Sequence, residues 1–209
     1  MPKKLLNFAT TLGLPFTPAQ AEKLLAYGRC VFDKKELLNL TSVADFDELV
    51  SRHLCDGLAA AAFIHAAHRP FTALADAGAG CGYIGFALAA AFPAASVTLL
   101  ESLEKRCQFM NWAALKAGFT NIRVQNVRLG QVSTGPFDFM TERAMGPLET
   151  VLPLCMAPLQ PGGIFAAFQS EKAQAVCPGA HACGFYAYTL PGEAKNRYLA
   201  LYQKEETHG

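Results

Sequence analysis

The chain has 209 residues, 52% of them hydrophobic and 17% charged, and a formal net charge of +1. That length supports one α/β domain, alone or with a small helical extension, and the composition excludes a disordered chain. The near-neutral balance also excludes a general nucleic-acid coat, so any RNA contact must come from a local patch.

The N-terminal third reads as helical. Thr17-Pro18 supplies an N-cap followed by proline at the first helical position, and Leu24, Leu25, Tyr27, Val31 and Leu38 recur at helical spacing, which predicts a helix over 17–38. Asn39-Leu40-Thr41-Ser42 breaks it, with Asn39 placed to bond a loop backbone. Asp45 then caps a helix that passes through Leu49, His53 and Leu58 into an alanine-rich stretch and stops at Arg69-Pro70. From Phe71 the period changes. Strands are expected over 71–77, 96–101, 121–127, 137–141 and 164–169, the last entered through a Pro161-Gly162-Gly163 turn. Helices are expected over 83–92, 103–117, 147–158 and 171–176. Two final strands, 184–190 and 196–203, flank Pro191-Gly192 and predict a terminal hairpin with one antiparallel strand. The alternation implies a doubly wound α/β sheet over 69–209, preceded by an N-terminal helical extension over 1–68.

Seven cysteines, Cys30, Cys55, Cys81, Cys107, Cys155, Cys177 and Cys183, are mostly dispersed in apolar stretches, as expected of a protein in a reducing cytosol. Cys177, His181 and Cys183 form the tightest group but lack a CxxC pair and a fourth ligand, so no metal site is expected. Met1-Pro-Lys-Lys begins basic, but the apolar run ends at Asn7, so no export signal is expected. The uncharged run Tyr83–Leu100 is interrupted by Pro93 and Ser96 and reads as helix then strand, not a membrane span.

The segment that carries chemistry is Asp76-Ala77-Gly78-Ala79-Gly80-Cys81-Gly82-Tyr83-Ile84-Gly85, between a strand and a helix. Glycines there let the backbone turn sharply and approach a ligand at the carboxyl ends of the strands. Gly80, Gly82 and Gly85 fit the dinucleotide fingerprint GxGxxG, whereas Asp76, Gly78, Gly80 and Gly82 fit (D/E)xGxGxG, the S-adenosylmethionine loop. Glu101, ending the next strand, suits a ribose in either case. Asp76 favours the methyl donor, because a carboxylate there suits a cationic amino-acid end and would repel a pyrophosphate.

Further segments resemble the RsmG (GidB) family of small-subunit rRNA guanine-N7 methyltransferases. They are Asn39-Leu40-Thr41, Arg52-His53-Leu54-Cys55-Asp56, the glycine loop itself, Leu100-Glu101-Ser102 with Lys105-Arg106, Phe137-Asp138 with Glu142-Arg143-Ala144, and Arg197-Tyr198-Leu199, in order over nearly the whole chain. The resemblance implies a seven-stranded Rossmann-like methyltransferase sheet. It implies a donor site of Asp76, Gly78, Gly80, Gly82, Tyr83, Glu101 (ribose), Arg128 and Leu129 (adenine) and Arg143. Arg143 would stand between donor and target base as the catalytic residue, with Arg52, His53 and Arg197 towards the RNA. The bare alternatives are a surface ion pair of Arg143 with Glu142 or Glu149, and a packed network of His53, Arg52 and Asp56 beneath the donor site. Departures from the family pattern are Cys81-Gly82-Tyr83 in the loop and Gln169 where a lysine is usual, for which Lys172 is a candidate substitute.

The partner implied is 16S rRNA within the small ribosomal subunit or its precursor, met in the cytoplasm by a monomer that touches no membrane. Lys3, Lys4, Lys34, Lys35, Arg52, Arg123, Arg128 and Arg197 make up the candidate RNA patch. Guanine N7 carries a free lone pair, so no base need deprotonate it, and no Ser/His/Asp set is present. Two other readings stay open: a methyltransferase for a small molecule or protein, and a nucleotide-binding module without catalysis.

Overall fold

A computed structural model describes residues 1–206; the end of the expected α/β domain, 207–209, lies outside the described residues. Helix α1 (Pro2–Thr11), within the expected helical extension, buries Leu5 with Phe8 and Ala9, three and four residues further on. Helix α2 (Pro18–Leu38) begins with a full capping box between Thr17 and Gln20 and ends where Asn39 takes the left-handed conformation, so Asn39 acts as a C-cap. Asp45 caps α3 (Phe46–Glu48) by accepting the Glu48 N–H at 2.8 Å. The expected continuous helix then widens into a π-helical turn, Leu49–Leu54, before α4 (Cys55–Ala66). The extra residue in that turn re-aims the side chains that follow, as such insertions do at functional sites.

Strand β1 (Ala73–Ala77), helix α5 (Tyr83–Ala91), β2 (Ser96–Glu101), α6 (Glu104–Lys116) and β3 (Ile122–Asn126) form one half of the sheet. The other half is β4 (Phe137–Glu142), α7 (Leu148–Met156), β5 (Leu159–Gln169), β6 (Ala180–Thr189) and β7 (Asn196–Lys204). The order is β3-β2-β1-β4-β5-β7-β6, with β7 antiparallel to both neighbours. Strand order therefore reverses between β1 and β4, and a crevice opens at their carboxyl ends. This is the doubly wound α/β sheet expected, with its terminal hairpin.

Two elements differ from expectation. Residues 171–176 form no helix, although Glu-Lys-Ala-Gln-Ala-Val has good helical propensity. The segment is short, Val176 is almost fully exposed, and the Ala175 N–H is taken by the Tyr202 hydroxyl at 2.8 Å, so nothing offsets helix nucleation. Pro161-Gly162-Gly163 is no turn before the fifth strand but lies within it, where the β4–β5 register shifts between Phe137 and Phe139.

The N-terminal helices and one face of the sheet share a continuous hydrophobic core. Tyr27 of α2 stacks on Phe86 of α5 with ring centroids 3.8 Å apart. Helix α4 is buried from Cys55 through Ala62 and packs closely on α5. Gly57 makes that approach possible: a Cβ there would lie 2.4 Å from the Ala87 Cβ and 3.0 Å from the Tyr83 carbonyl oxygen. Gly57→Ala is therefore expected to destabilise the protein by about 1–3 kcal/mol in urea unfolding, whereas Leu115→Ala, at a largely exposed site, should stay within about 0.5 kcal/mol. Equal midpoints for the two variants would contradict the packing.

Candidate active site

The loop from Gly78 to Gly82 has positive φ at Gly78 (60°), Gly80 (62°) and Gly82 (99°), so its conformation depends on glycine and its anchors come from outside it. Asp76, the penultimate residue of β1, accepts the Gly85 N–H at 2.9 Å and so ties the strand to the first turn of α5. Glu101, ending β2, accepts from Gly80 N at 2.8 Å with one oxygen and from Leu103 N at 2.9 Å with the other. Tyr27 reaches from α2 and donates its hydroxyl to the Cys81 carbonyl at 2.9 Å.

Three cavities lie in series at the carboxyl ends of the strands. One of about 290 Å³ is lined by Asp76, Gly78, Gly80, Tyr83, Arg143 and Ala144. A second, of about 430 Å³, meets it at Gly78 and is lined by Glu101, Val127, Arg128, Leu129 and Met145. A third, of about 320 Å³, shares Arg143 and Ala144 with the first and continues over Phe168, Gln169, Tyr188, Lys195 and Arg197. The structure thus brings the expected donor residues except Gly82 into two adjoining cavities, with Arg143 on the wall between them and the third. Gly82 lines neither: it faces Phe86 and Met110, and its part is the positive-φ entry into α5.

Arg143 pairs with Asp56, not with Glu142 or Glu149. Its NH1 lies 2.9 Å from the Asp56 Oδ2 and 3.1 Å from the His53 Nδ1, and its guanidinium carbon stands 5.4 Å above the Tyr83 ring. Glu142 is instead buried and accepts the Met145 N–H at 3.1 Å. Asp56 is 2% exposed, and its other oxygen accepts the Tyr188 hydroxyl at 2.7 Å. Arg197 approaches the same carboxylate at 3.4 Å while forking onto Glu193 at 2.9 and 3.1 Å. His53 stacks on Tyr83 at 4.5 Å. The expected His53–Asp56 network therefore exists, joined through Arg143; Arg52 reaches its rim through Glu48 at 3.0 Å and Glu193 at 3.8 Å.

Burial, and then the charges of Arg143 and Arg52, hold the His53 pKa down at about 4. Arginine can only donate, so Nδ1 is the acceptor and the ring proton sits on Nε2. Burial raises the Asp76 carboxyl to about 7, against the opposing bonds from Gly85 and Thr141. The Thr141 hydroxyl lies 3.3 Å from the Ala75 carbonyl and 3.2 Å from the Asp76 Oδ1. Its single proton serves only one of them at a time. The Tyr83 hydroxyl is buried, raised by that burial, and without a partner among the described residues.

The basic patch is not assembled as expected. Lys4 is bound to Asp47 and Ser51, and Lys35 caps the Val43 and Ala44 carbonyls at 2.8 and 3.2 Å. Lys34 lies over the Trp112 ring, while Lys3 is an exposed side chain of α1. Arg123 on β3 and Arg197 on β7 are five strands apart, about 24 Å. Lys172 sits over Phe185 and Tyr198 and does not line the third cavity; Lys195, from the β6–β7 turn, does. Sequence reasoning missed Lys195, Glu193 and Tyr188, which only the hairpin's placement beside β5 brings to Arg143. Cys177 is buried and Cys183 exposed, and His181 faces Glu205 at 3.6 Å.

The residues fit an adenosyl amino acid. A side chain at Gly78 would collide with Met145, at 2.7 Å from its Cγ, so the loop leaves no spare room beside that backbone. An acidic group stands at each end, Glu101 by one cavity and Asp76 by the other.

Residues 20–181 match the family model described as GidB, rRNA small subunit methyltransferase G. The chain is 34% identical over 168 residues to the ribosomal RNA small subunit methyltransferase G of Cellvibrio japonicus, covering 80% of this chain and 77% of that protein. It is 31% identical to the protein of the same name from Halorhodospira halophila, covering 83% and 81%. Among solved structures, magnesium protoporphyrin IX methyltransferase from Synechocystis, with bound S-adenosylmethionine, shares the fold at a TM-score of 0.60 and 14% identity, covering 83% of this chain and 91% of that one.

Gly78→Asp is expected to abolish S-adenosylmethionine binding in calorimetry while the chain, at a lowered midpoint, still unfolds in one cooperative transition; retained binding would place the donor elsewhere. The depressed His53 pKa means that the unfolded chain binds the extra proton first. His53 therefore contributes a loss of stability as pH falls from about 6.5 towards 4. His53→Gln should show a shallower fall in urea midpoint over that window than the parent, and parallel profiles would exclude this environment for the ring.

Proposed function

The chain belongs to the GidB family, the rRNA small subunit methyltransferases G, and from that premise we propose that it transfers a methyl group from S-adenosylmethionine to N7 of a guanine in 16S rRNA. The observation that carries this reading is the series of three cavities, two sharing Gly78 and two sharing the Arg143–Ala144 wall. The first pair suits the amino-acid and adenosine parts of the donor, and the third suits the acceptor base.

Bound S-adenosylmethionine supplies an electrophilic methyl group on a sulfonium. The chain's own part is to hold, orient and dry. Glu101 would meet the ribose hydroxyls, Arg128 and Leu129 the adenine edge, and Asp76, Gly78, Gly80 and Tyr83 the amino-acid end, with Gly82 shaping the loop as it enters α5. Guanine N7 attacks with a lone pair in the ring plane, so neutral His53, whose Nδ1 is occupied by Arg143, is not needed as a base. Arg143 keeps donors beyond NH1 for O6 or a phosphate, leaving N7 free for the methyl group. Positioning and exclusion of water then supply the rate.

N7 of a paired guanine lies in the deep, narrow major groove of A-form RNA, where side chains do not reach. The acceptor must therefore be a loop nucleotide or one drawn out of its stack. Phe168 and Tyr188 offer apolar walls for such a base, and Arg52, Arg197 and Lys195 a cationic rim for its backbone. The rim is small, which favours a preassembled surface of the small subunit or its precursor over naked RNA. The protein works as a monomer in the cytoplasm in this reading; among the described residues no helix is long and apolar enough to cross a membrane.

Mapping N7-methylguanosine in 16S rRNA from a strain lacking this chain tests the proposal. One modification should disappear and return with the wild-type chain but not with Gly78→Asp. Unchanged methylation in the deletion strain would overturn the reading.

A further inference from the structure

Methylation of N7 moves a charge as well as a carbon. The N7 lone pair forms the new N–CH3 bond, the S–CH3 electrons return to sulfur, and the positive charge passes from the sulfonium to the purine. On the proposed reading it moves from the cavity beside Gly78 into the cavity beyond Arg143. That third cavity already holds the cations Arg143, Arg197 and Lys195, each of which opposes the arriving charge.

We infer that Asp56 is a positioning residue for the transfer: anchored by Tyr188, it fixes Arg143 between donor and acceptor cavities and offsets the arginine's charge as positive charge reaches the purine. Asp56 reaches the site from the first turn of α4 with its side chain almost wholly buried. One carboxylate oxygen is spent on the Tyr188 hydroxyl at 2.7 Å, so the other is held facing the arginines. That oxygen receives Arg143 NH1 at 2.9 Å and Arg197 NH1 at 3.4 Å. The second NH1 hydrogen of Arg143 goes to His53 Nδ1, and the guanidinium lies against Tyr83, so its remaining N–H groups point away from these anchors. Glu193 cannot replace Asp56 in this, because both its oxygens are forked by Arg197 and approached by Arg52. Asp76 and Glu142, the other buried carboxylates near the wall, are bonded to backbone N–H groups of Gly85 and Met145. Without Asp56, Arg143 is free to turn towards those carboxylates or towards an incoming RNA phosphate.

The inference rests on the proposed methyl transfer to small-subunit RNA, so wild-type activity on small subunits from the deletion strain is measured first; its failure would sink that reading, and the variants speak to Asp56 alone. Asp56→Asn keeps the size and an acceptor for Tyr188 but faces the arginines without a charge. It should lower the single-turnover methylation rate roughly a hundredfold, with the S-adenosylmethionine Kd and the Kd for small subunits each within about threefold, a split that a general structural defect would not give. Arg143→Gln should lose a similar factor, and the double variant should be no slower than the slower single one, because Asp56 acts through Arg143. Tyr188→Phe removes one hydroxyl and leaves the core packing; it should lose about tenfold in rate and keeps the test alive if Asp56→Asn does not fold. Multiplying losses in the double variant, or an undiminished rate in either Asp56→Asn or Tyr188→Phe, would overturn the inference.

Discussion

A loop built on three positive-φ glycines between β1 and α5 has almost no side chains with which to hold itself, and that constraint organises the rest of the molecule. Its anchors arrive from three directions: Asp76 from below, Glu101 from the neighbouring strand and Tyr27 from the N-terminal helices. Glu101 and Tyr27 spend a polar group on loop backbone and Asp76 on the first turn of the helix that follows it, and each of the three is buried. The N-terminal helices are thus part of the loop's support, because the same Tyr27 that stacks on Phe86 in the core fixes the Cys81 carbonyl. Glycine at position 57 lets α4 come close enough to α5 to join that support.

The side beyond Arg143, the proposed acceptor side, follows a different logic, charge rather than backbone geometry. The π-helical turn and the start of α4 bring His53 and Asp56 to Arg143 at the end of β4, and the β6–β7 hairpin adds Tyr188, Glu193 and Arg197. Acids and arginines alternate from Glu48 through Arg52, Glu193, Arg197 and Asp56 to Arg143. Most of the cationic charge is balanced locally, as a site must be if positive charge is to enter it during the reaction. Only Asp56 in this set is buried, so truncating Asp56 or the Arg143 that faces it leaves the other's charge without its nearest partner.

The sheet was legible because strand and helix periods are local, and so was the glycine loop, because its residue types have few other uses. The caps at Thr17 and Asp45 were readable for the same reason. What escaped the sequence depended on distant partners. Helix 171–176 was expected from propensity alone and lost to the bond between Ala175 and Tyr202. Lys4 and Lys35 read as RNA contacts because their acceptors, Asp47 and the Val43 carbonyl, are set by helix packing. Arg143 was identified, but its partner was sought among neighbours in sequence, while the structure supplies Asp56 from 87 residues away. Lys195 was overlooked because nothing local distinguishes a lysine in a turn from a solvated one.

In the proposed transfer, donor and acceptor occupy the serial cavities on either side of Arg143 and Ala144. Solving the structure of the protein with S-adenosylhomocysteine bound tests it most directly. Adenine should lie beside Leu129, the ribose hydroxyls on Glu101, and the thioether sulfur facing the Arg143–Ala144 wall. A ligand bound away from the glycine loop, or with its sulfur turned from that wall, would contradict it.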